Sequence, residues 1–166
     1  MISRGIYSKW MSEVQRIKIG QILKEISFSS PVLDVGSGPG FLEEKISAVA
    51  LDVNVDDLKK FYGQRVLASG DHLPFVGGHF NTVFCIDTAH LLKEPEDIVR
   101  VLRPNGKLVV SLPCNKWNCE NKLSELTKKF SMLKAVQKII IKTEREWDAV
   151  VVFVKVRFSR KARTAR

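Results

Sequence analysis

Apolar residues Val14, Ile17, Leu23 and Ile26, joined by Ile22, recur at near-helical spacing. With the capping-box pattern Ser12-Glu13-Val14-Gln15 they predict an amphipathic helix ahead of the first strand. Five short apolar runs then read as strands, at 32–35, 48–53, 65–69, 82–86 and 107–112, with helical stretches between them at 41–46, 55–62 and 95–102. Such alternation implies a parallel sheet with right-handed crossovers and helices on both faces. After Pro113 the pattern changes to a helix at 120–130 and two long apolar runs, 132–142 and 147–158. Their connection, Thr143-Glu144-Arg145-Glu146, is too short for a crossover helix, so this pair is expected as an antiparallel hairpin.

The 166 residues suit one domain, expected over 1–158: an N-terminal helical segment (1–30), a core (31–113) and a C-terminal helix and hairpin (114–158), followed by a basic tail (159–166). With 45% hydrophobic and 27% charged residues, the composition is that of a soluble globular protein. No run of signal-peptide length opens the chain. The longest continuous apolar stretch, 149–154, falls far short of the ~20 residues that cross a bilayer, so no membrane association is expected. Three cysteines, an odd number, argue against a disulfide framework and for a reducing compartment, with the cytoplasm as the expected location.

Charge adds a direction. The net charge is +9, and the residues from Pro113 onward hold 14 basic against 5 acidic groups while the rest of the chain balances. This asymmetry suggests an anionic partner such as RNA for the C-terminal third; the competing explanation is a solvated face with a basic tail.

The segment with most chemistry is Val32-Leu33-Asp34-Val35-Gly36-Ser37-Gly38-Pro39-Gly40, where an apolar strand breaks into a G-x-G-x-G loop. Glycines there let a ligand lie against bare backbone and allow positive φ. The dinucleotide pattern G-x-G-x-x-G would place its last glycine where this chain has Phe41, which disfavours NAD. A second apolar run ends in Asp52, an acid at a strand end able to accept two ribose hydroxyls. Further on come Ser69-Gly70-Asp71-His72-Leu73-Pro74-Phe75, the block 80–92, and Val101-Leu102-Arg103-Pro104-Asn105-Gly106-Lys107-Leu108.

The glycine string resembles motif I of the class I S-adenosylmethionine-dependent methyltransferases, and the four blocks together, over about 31–113, resemble the type 11 methyltransferase domains. Asn81 and Asn105 depart from the family pattern, where Asp and Gly are usual; Asn at 105 tolerates the left-handed backbone such a turn needs. The resemblance implies a Rossmann-like α/β fold, doubly wound, with a mostly parallel seven-stranded sheet whose last strand runs antiparallel. It implies S-adenosyl-L-methionine as cofactor and methyl transfer by in-line displacement. Carried over position by position, the cofactor site would comprise Asp34, Gly36, Ser37, Gly38, Gly40, Asp52, Val53, Asp71, His72, Leu73 and Asp87. In that scheme Asp34 fixes the glycine loop by accepting backbone N–H bonds, with contact to the methionine ammonium as the lesser alternative, Asp52 holds the ribose, and Asp71 with His72 meets the adenine.

Transfer from an activated methyl needs alignment and, for a hydroxyl or protonated nitrogen, a base. His90 and Asp87 follow the fourth strand at the carboxyl edge and are the catalytic candidates, against the plainer roles of positioning a helix and capping a turn. Tyr7 and Trp10 precede the first helix and either face the cofactor's cation or pack on the sheet. Cys114 stands roughly where RNA cytosine-C5 methyltransferases keep their nucleophile, but Asp87-Thr88-Ala89-His90 lacks the Pro-Cys those enzymes also need, so it is read as a bystander. No metal site is expected: Cys114 and Cys119 are not C-x-x-C, and His72, His79 and His90 lack zinc spacing. The acceptor is open between RNA, another anionic macromolecule and a small molecule. A catalytically silent cofactor-binding subunit is the non-enzymatic alternative, and a second copy or a partner subunit is an admissible way to close the site.

Overall fold

A computed structural model describes residues 4–156, with side chains from Trp10 onward. The elements run α1 (Arg4–Glu25), β1 (Val32–Val35), β2 (Val49–Asp52), α2 (Val55–Leu58), β3 (Arg65–Leu67), β4 (Phe80–Cys85), α3 (Glu96–Val101), β5 (Leu102–Cys114), α4 (Cys119–Lys129), β6 (Lys134–Lys142) and β7 (Trp147–Val154). They build one seven-stranded sheet in the order β3-β2-β1-β4-β5-β7-β6. Strands β1 to β5 are mutually parallel, while β7 enters antiparallel between β5 and β6. The Rossmann-like class I methyltransferase fold expected from the sequence is the fold observed.

Alternation along the strands feeds two apolar layers. Leu33, Val83, Leu108, Val110 and Phe153 face α3 and α4 with Ile98, Leu126 and Phe130. On the opposite face Val32, Phe84, Val109 and Val150 meet Ile19, Ile22 and Ile26 from α1 and the segment after it. Because the parallel strands all end on one side, their carboxyl ends and following loops gather at a single edge. There β1 and β4 separate to opposite neighbours, leaving a crevice between their loops.

Several boundaries differ from expectation. Helix α1 begins at Arg4, so Ser12 and its capping box lie inside a continuous helix, and Ile17, assigned to the apolar stripe, is about half exposed. No helix forms at 41–46: the amides of Glu44 and Ile46 bond to Gly40 and Leu42 carbonyls, a single turn that the strand from Val49 cuts short. Helix α2 closes at Leu58, after which Lys60 bonds back to Asp57 over only three residues. The turn in β5 adopts a left-handed Asn105, φ 64°, which fits the tolerance of that residue type.

The cysteine expectation needs correction. Cys114 and Cys119 form a disulfide, leaving Cys85 as the buried free thiol. The Asn115–Asn118 turn brings them together: the Asn115 amide donates to Asn118 Oδ1 at 2.8 Å and the Cys119 amide to the Asn115 carbonyl at 3.2 Å. An odd count guarantees only that one thiol is left over. Among the described residues no helix is long and apolar enough to cross a membrane.

Candidate active site at the carboxyl edge

Two cavities open at this edge and meet at Gly36 and Thr88, which line both. The first, of about 230 Å³, is bordered by Asp52, Val53, Ser69, Gly70 and Asp71. Asp34, Ser37, Gly38, Ile86 and Asp87 border the second, of about 240 Å³, together with Gln15 from α1. Asp34, Gly36, Ser37, Gly38, Asp52, Val53, Asp71 and Asp87 are thus brought to one cleft. Gly40 instead packs its bare Cα against Phe61, where a β-carbon would come within 3.0 Å of the ring. His72 is exposed beside the cleft, Leu73 is in the core with its amide bonded to Asp97 Oδ2 at 2.6 Å, and His90 is exposed on the 3-10 turn Ala89–Leu91; none of the three lines either cavity.

The glycine loop is fixed by different partners than expected. Gly36 and Ser37 donate to the Leu51 carbonyl at 2.8 and 3.1 Å, and Gly38 donates to Asp52 Oδ2 at 2.8 Å. The loop amides therefore converge on the end of β2, and Asp34 does not hold them. Asp52 also accepts from the Asn54 amide at 2.8 Å, so its two oxygens span the loop and the turn into α2 while each keeps a free lone pair. Asp71 Oδ1 accepts from the amides of Glu94 and Lys93 at 3.0 and 2.8 Å; these bonds, the Glu94 one foremost, hold its carboxyl below the ordinary range. Asp34 is buried and the Glu43 carboxyl oxygens are buried with it; burial first, then the charges of Glu43 and Asp52, raise Asp34, while burial raises Glu43 to about 7 against a hydrogen bond with Asp34 that lowers it.

Beside the second cavity lies a buried cluster. Lys18, fully buried on α1, contacts Asp87, Glu146 Oε1 at 2.5 Å and Asp148 Oδ1 at 3.2 Å. Burial opposes the lysine charge, yet Asp87 and Asp148 overcome it and raise its pKa above the ordinary value. Asp87 sits at φ 56° and accepts from Ser111 Oγ at 2.7 Å; burial alone would raise its pKa, but the Lys18 charge wins and lowers it. Asp148 is pushed up to about 8, by burial first and by Asp87 second.

Lys18, Glu43, Thr88, Ser111, Glu146 and Asp148 escaped the sequence reading. Lys18 left a trace: it stands midway between Val14 and Ile22, four residues from each, and so interrupts the apolar stripe of a helix. Asp148 interrupts the strand run at 147–154 in the same way.

Tyr7's side chain and the 159–166 tail lie outside the described residues. Trp10 has the Arg145 guanidinium 5.4 Å from its ring centroid. Cys114 is bonded to Cys119 and offers no thiol. Part of the C-terminal basic surplus is used internally: Lys129 bonds the Leu92 carbonyl, Lys155 those of Val99 and Leu102, and Lys122 pairs with Glu125.

Residues 33–110 match the family described as a methyltransferase domain. The matched stretch runs from Leu33 in β1, across the glycine loop, to the Lys107–Val110 portion of β5. Solved structures agree in fold. A chain in the complex between the Haloferax volcanii Trm112 methyltransferase activator and a methyltransferase is 15% identical, with 90% of this chain and 93% of that chain covered and a TM-score of 0.73. A Thermotoga maritima protein described as a SAM-dependent methyltransferase, possible histamine N-methyltransferase, is 16% identical over 91% and 95% of the two chains, TM-score 0.67. The SAM-dependent methyltransferase of Aquifex aeolicus is 18% identical over 89% and 96%, TM-score 0.68. No curated protein matches the chain.

Proposed function

We propose that this protein binds S-adenosyl-L-methionine in the paired cavities and transfers its methyl group to RNA. The observation that carries the first half is the junction at Gly36 and Thr88: one cavity holds the ribose- and adenine-type acceptors Asp52 and Asp71, the other holds Asp87 at the β4 end. The residues present fit the cofactor. A side chain on Gly36 would run into Thr88, so the backbone there is bare to a ligand, and Asp34 borders the second cavity as an acceptor for a methionine ammonium. Asp52 would take the ribose hydroxyls and Asp71, through its second oxygen, the adenine amine. When bound, the compound supplies a methyl on a positively charged sulfur, whose carbon–sulfur bond breaks with its electron pair going to sulfur as the acceptor bond forms. The chain's part is to align and to exclude water.

The RNA half is supported by the rim. All three tryptophans carry a cation of this chain over the ring: Arg145 on Trp10, Lys116 on Trp117 at 4.4 Å, and Lys142 on Trp147 at 4.3 Å. They lie on α1, after β5 and at the start of β7, around the edge where Asp87 opens, and Trp117 is 81% exposed. Aromatic rings beside cations are the surface that unpaired bases stack on.

Two measurements test the proposal. Calorimetry with the cofactor and with its demethylated product should detect binding, and its failure removes the enzyme reading. Incubation with methyl-labelled cofactor and fractionated cell extract should put label into RNA; label confined to small molecules or to protein replaces RNA as the acceptor. One structural neighbour is assembled with a methyltransferase activator, so a chain that binds cofactor yet transfers nothing alone points to a required partner subunit.

A further inference from the structure

A buried ammonium is stable only among compensating carboxylates, and Lys18 has three of them. Oxygens of Asp87, Glu146 and Asp148 lie within 4.8 Å of one another, as in a metal-binding cluster, but the cation among them is the chain's own lysine. Of the three acids only Asp87 lines the second cavity. Lys18 anchors it through Oδ2; Ser111 anchors it through Oδ1 and accepts from its amide at 3.1 Å. Its side chain remains 17% exposed at the cavity, where the remaining neighbour on Oδ2 is Gln15 Nε2 at a long 3.5 Å, a contact that a ligand in the cavity can replace.

We infer that Lys18 is a positioning residue that holds Asp87 as an ionised hydrogen-bond acceptor, and that the methyl acceptor suited to this pair is a nitrogen carrying a hydrogen. The inference rests on the methyl-transfer reading above. A hydroxyl must lose its proton as its oxygen attacks, which calls for a base that holds protons well near neutral pH. Asp87, with Lys18 and Ser111 bonded to it, holds a proton poorly. Nitrogen needs no such base. Its lone pair forms the bond to the methyl carbon while the old bond's pair leaves with sulfur, and it keeps its hydrogen, donating it to Asp87 until water takes the proton. The charge that develops on nitrogen meets the ionised Asp87 at the cavity wall. Groups facing Asp87 are Lys18 and Gln15 from α1, Cys85 at the end of β4, Ser111 from β5, Glu146 from the β6–β7 turn and Asp148 from β7.

The role of Lys18 can be read without any acceptor, by carbon-13 NMR titration of the Asp87 carboxyl in the full chain. The midpoint should be lower than in an ordinary aspartate in the wild type and in Lys18→Arg. In Lys18→Met it should rise by two pH units or more, with Lys18→Gln serving if the Met variant does not fold. An unchanged midpoint in the neutral variants overturns the positioning role. For the acceptor atom, total RNA is incubated with methyl-labelled cofactor and digested to nucleosides. Label on base nitrogen is expected, with the acid limb of the rate profile moved upward in Lys18→Gln and restored in Lys18→Arg. Label on the ribose 2′-oxygen overturns the nitrogen assignment and leaves RNA standing as acceptor. Label found only in protein or small molecules ends the RNA reading, and whether it sits there on nitrogen or oxygen still decides this inference.

Discussion

Gly36 and Thr88 meet with no room for another carbon: a β-carbon on Gly36 would stand 2.7 Å from both Cβ and Oγ1 of Thr88. Thr88 cannot turn away freely, because its hydroxyl donates to the Val35 carbonyl at 2.9 Å and lies 3.1 Å from Cys85 Sγ. Gly36 also has φ 76°. Gly36→Ala should therefore lose about 2–4 kcal/mol of stability in urea unfolding, from left-handed strain and overpacking together. It should also lose cofactor affinity, since the same contact joins the two cavities.

Asp52 has a double duty that sharpens its own test. Asp52→Ala removes a charge-assisted acceptor from the cofactor, on the order of 1.5–3 kcal/mol of binding, and frees the Gly38 and Asn54 amides. Calorimetry should show cofactor binding weakened at least tenfold; equal affinity would mean the ribose lies elsewhere.

The acid cluster makes stability depend on pH in a stated direction. Asp148 at about 8 and Glu43 at about 7 both hold protons more tightly when folded than the ordinary carboxyl does. Their contribution is complete below about pH 4, and is lost as pH rises through 7 to 8. Asp87, lowered, acts oppositely and loses its contribution only on acidification. Urea unfolding should show stability falling between pH 5 and 8, and Asp148→Asn should flatten that fall, by up to about 1.4 kcal/mol per pH unit for the one proton removed.

The two catalytic candidates separate by location. Asp87→Ala should cut methyl transfer a hundredfold or more, since it removes the group bordering the second cavity. His90, exposed and lining neither cavity, should tolerate Ala with less than a tenfold loss in kcat. Steady-state rates on the same acceptor compare them directly.

Trp117 tests the rim. Trp117→Ala should weaken RNA binding by about 1–3 kcal/mol, one stacked base, in a fluorescence titration at fixed salt while leaving cofactor affinity unchanged.

What could be read in advance divides by the range of the interaction involved. The parallel core was legible because Val32, Leu33 and Val35 or Leu108 to Val110 are apolar runs whose neighbours are set by short connections, and the glycine loop was legible because backbone conformation is local. Helix ends were less so: Ser12 has capping chemistry, but nothing before it stops the helix. Partners distant along the chain were invisible, as with Lys18 and Asp148, 130 residues apart; Cys114 and Cys119 are only five residues apart, and their pairing was missed because an odd count of cysteines does not exclude it. The loop's true holder, Asp52 rather than Asp34, likewise depends on how β2 registers beside β1.

Strand β6 closes one side of the sheet, and it carries Lys134, Lys138 and Lys142, exposed along a backbone whose outer hydrogen-bonding groups meet no further strand among the described residues. The bulge after Ala135 puts Lys134 on the other face from Lys138 and Lys142, so a chain docking there would meet ammonium groups on both faces of the edge. On the far side β3 offers only three residues. Both rims therefore resist fibrillar stacking, and the protein should stay dispersed at concentrations where an unguarded sheet of this size would clump.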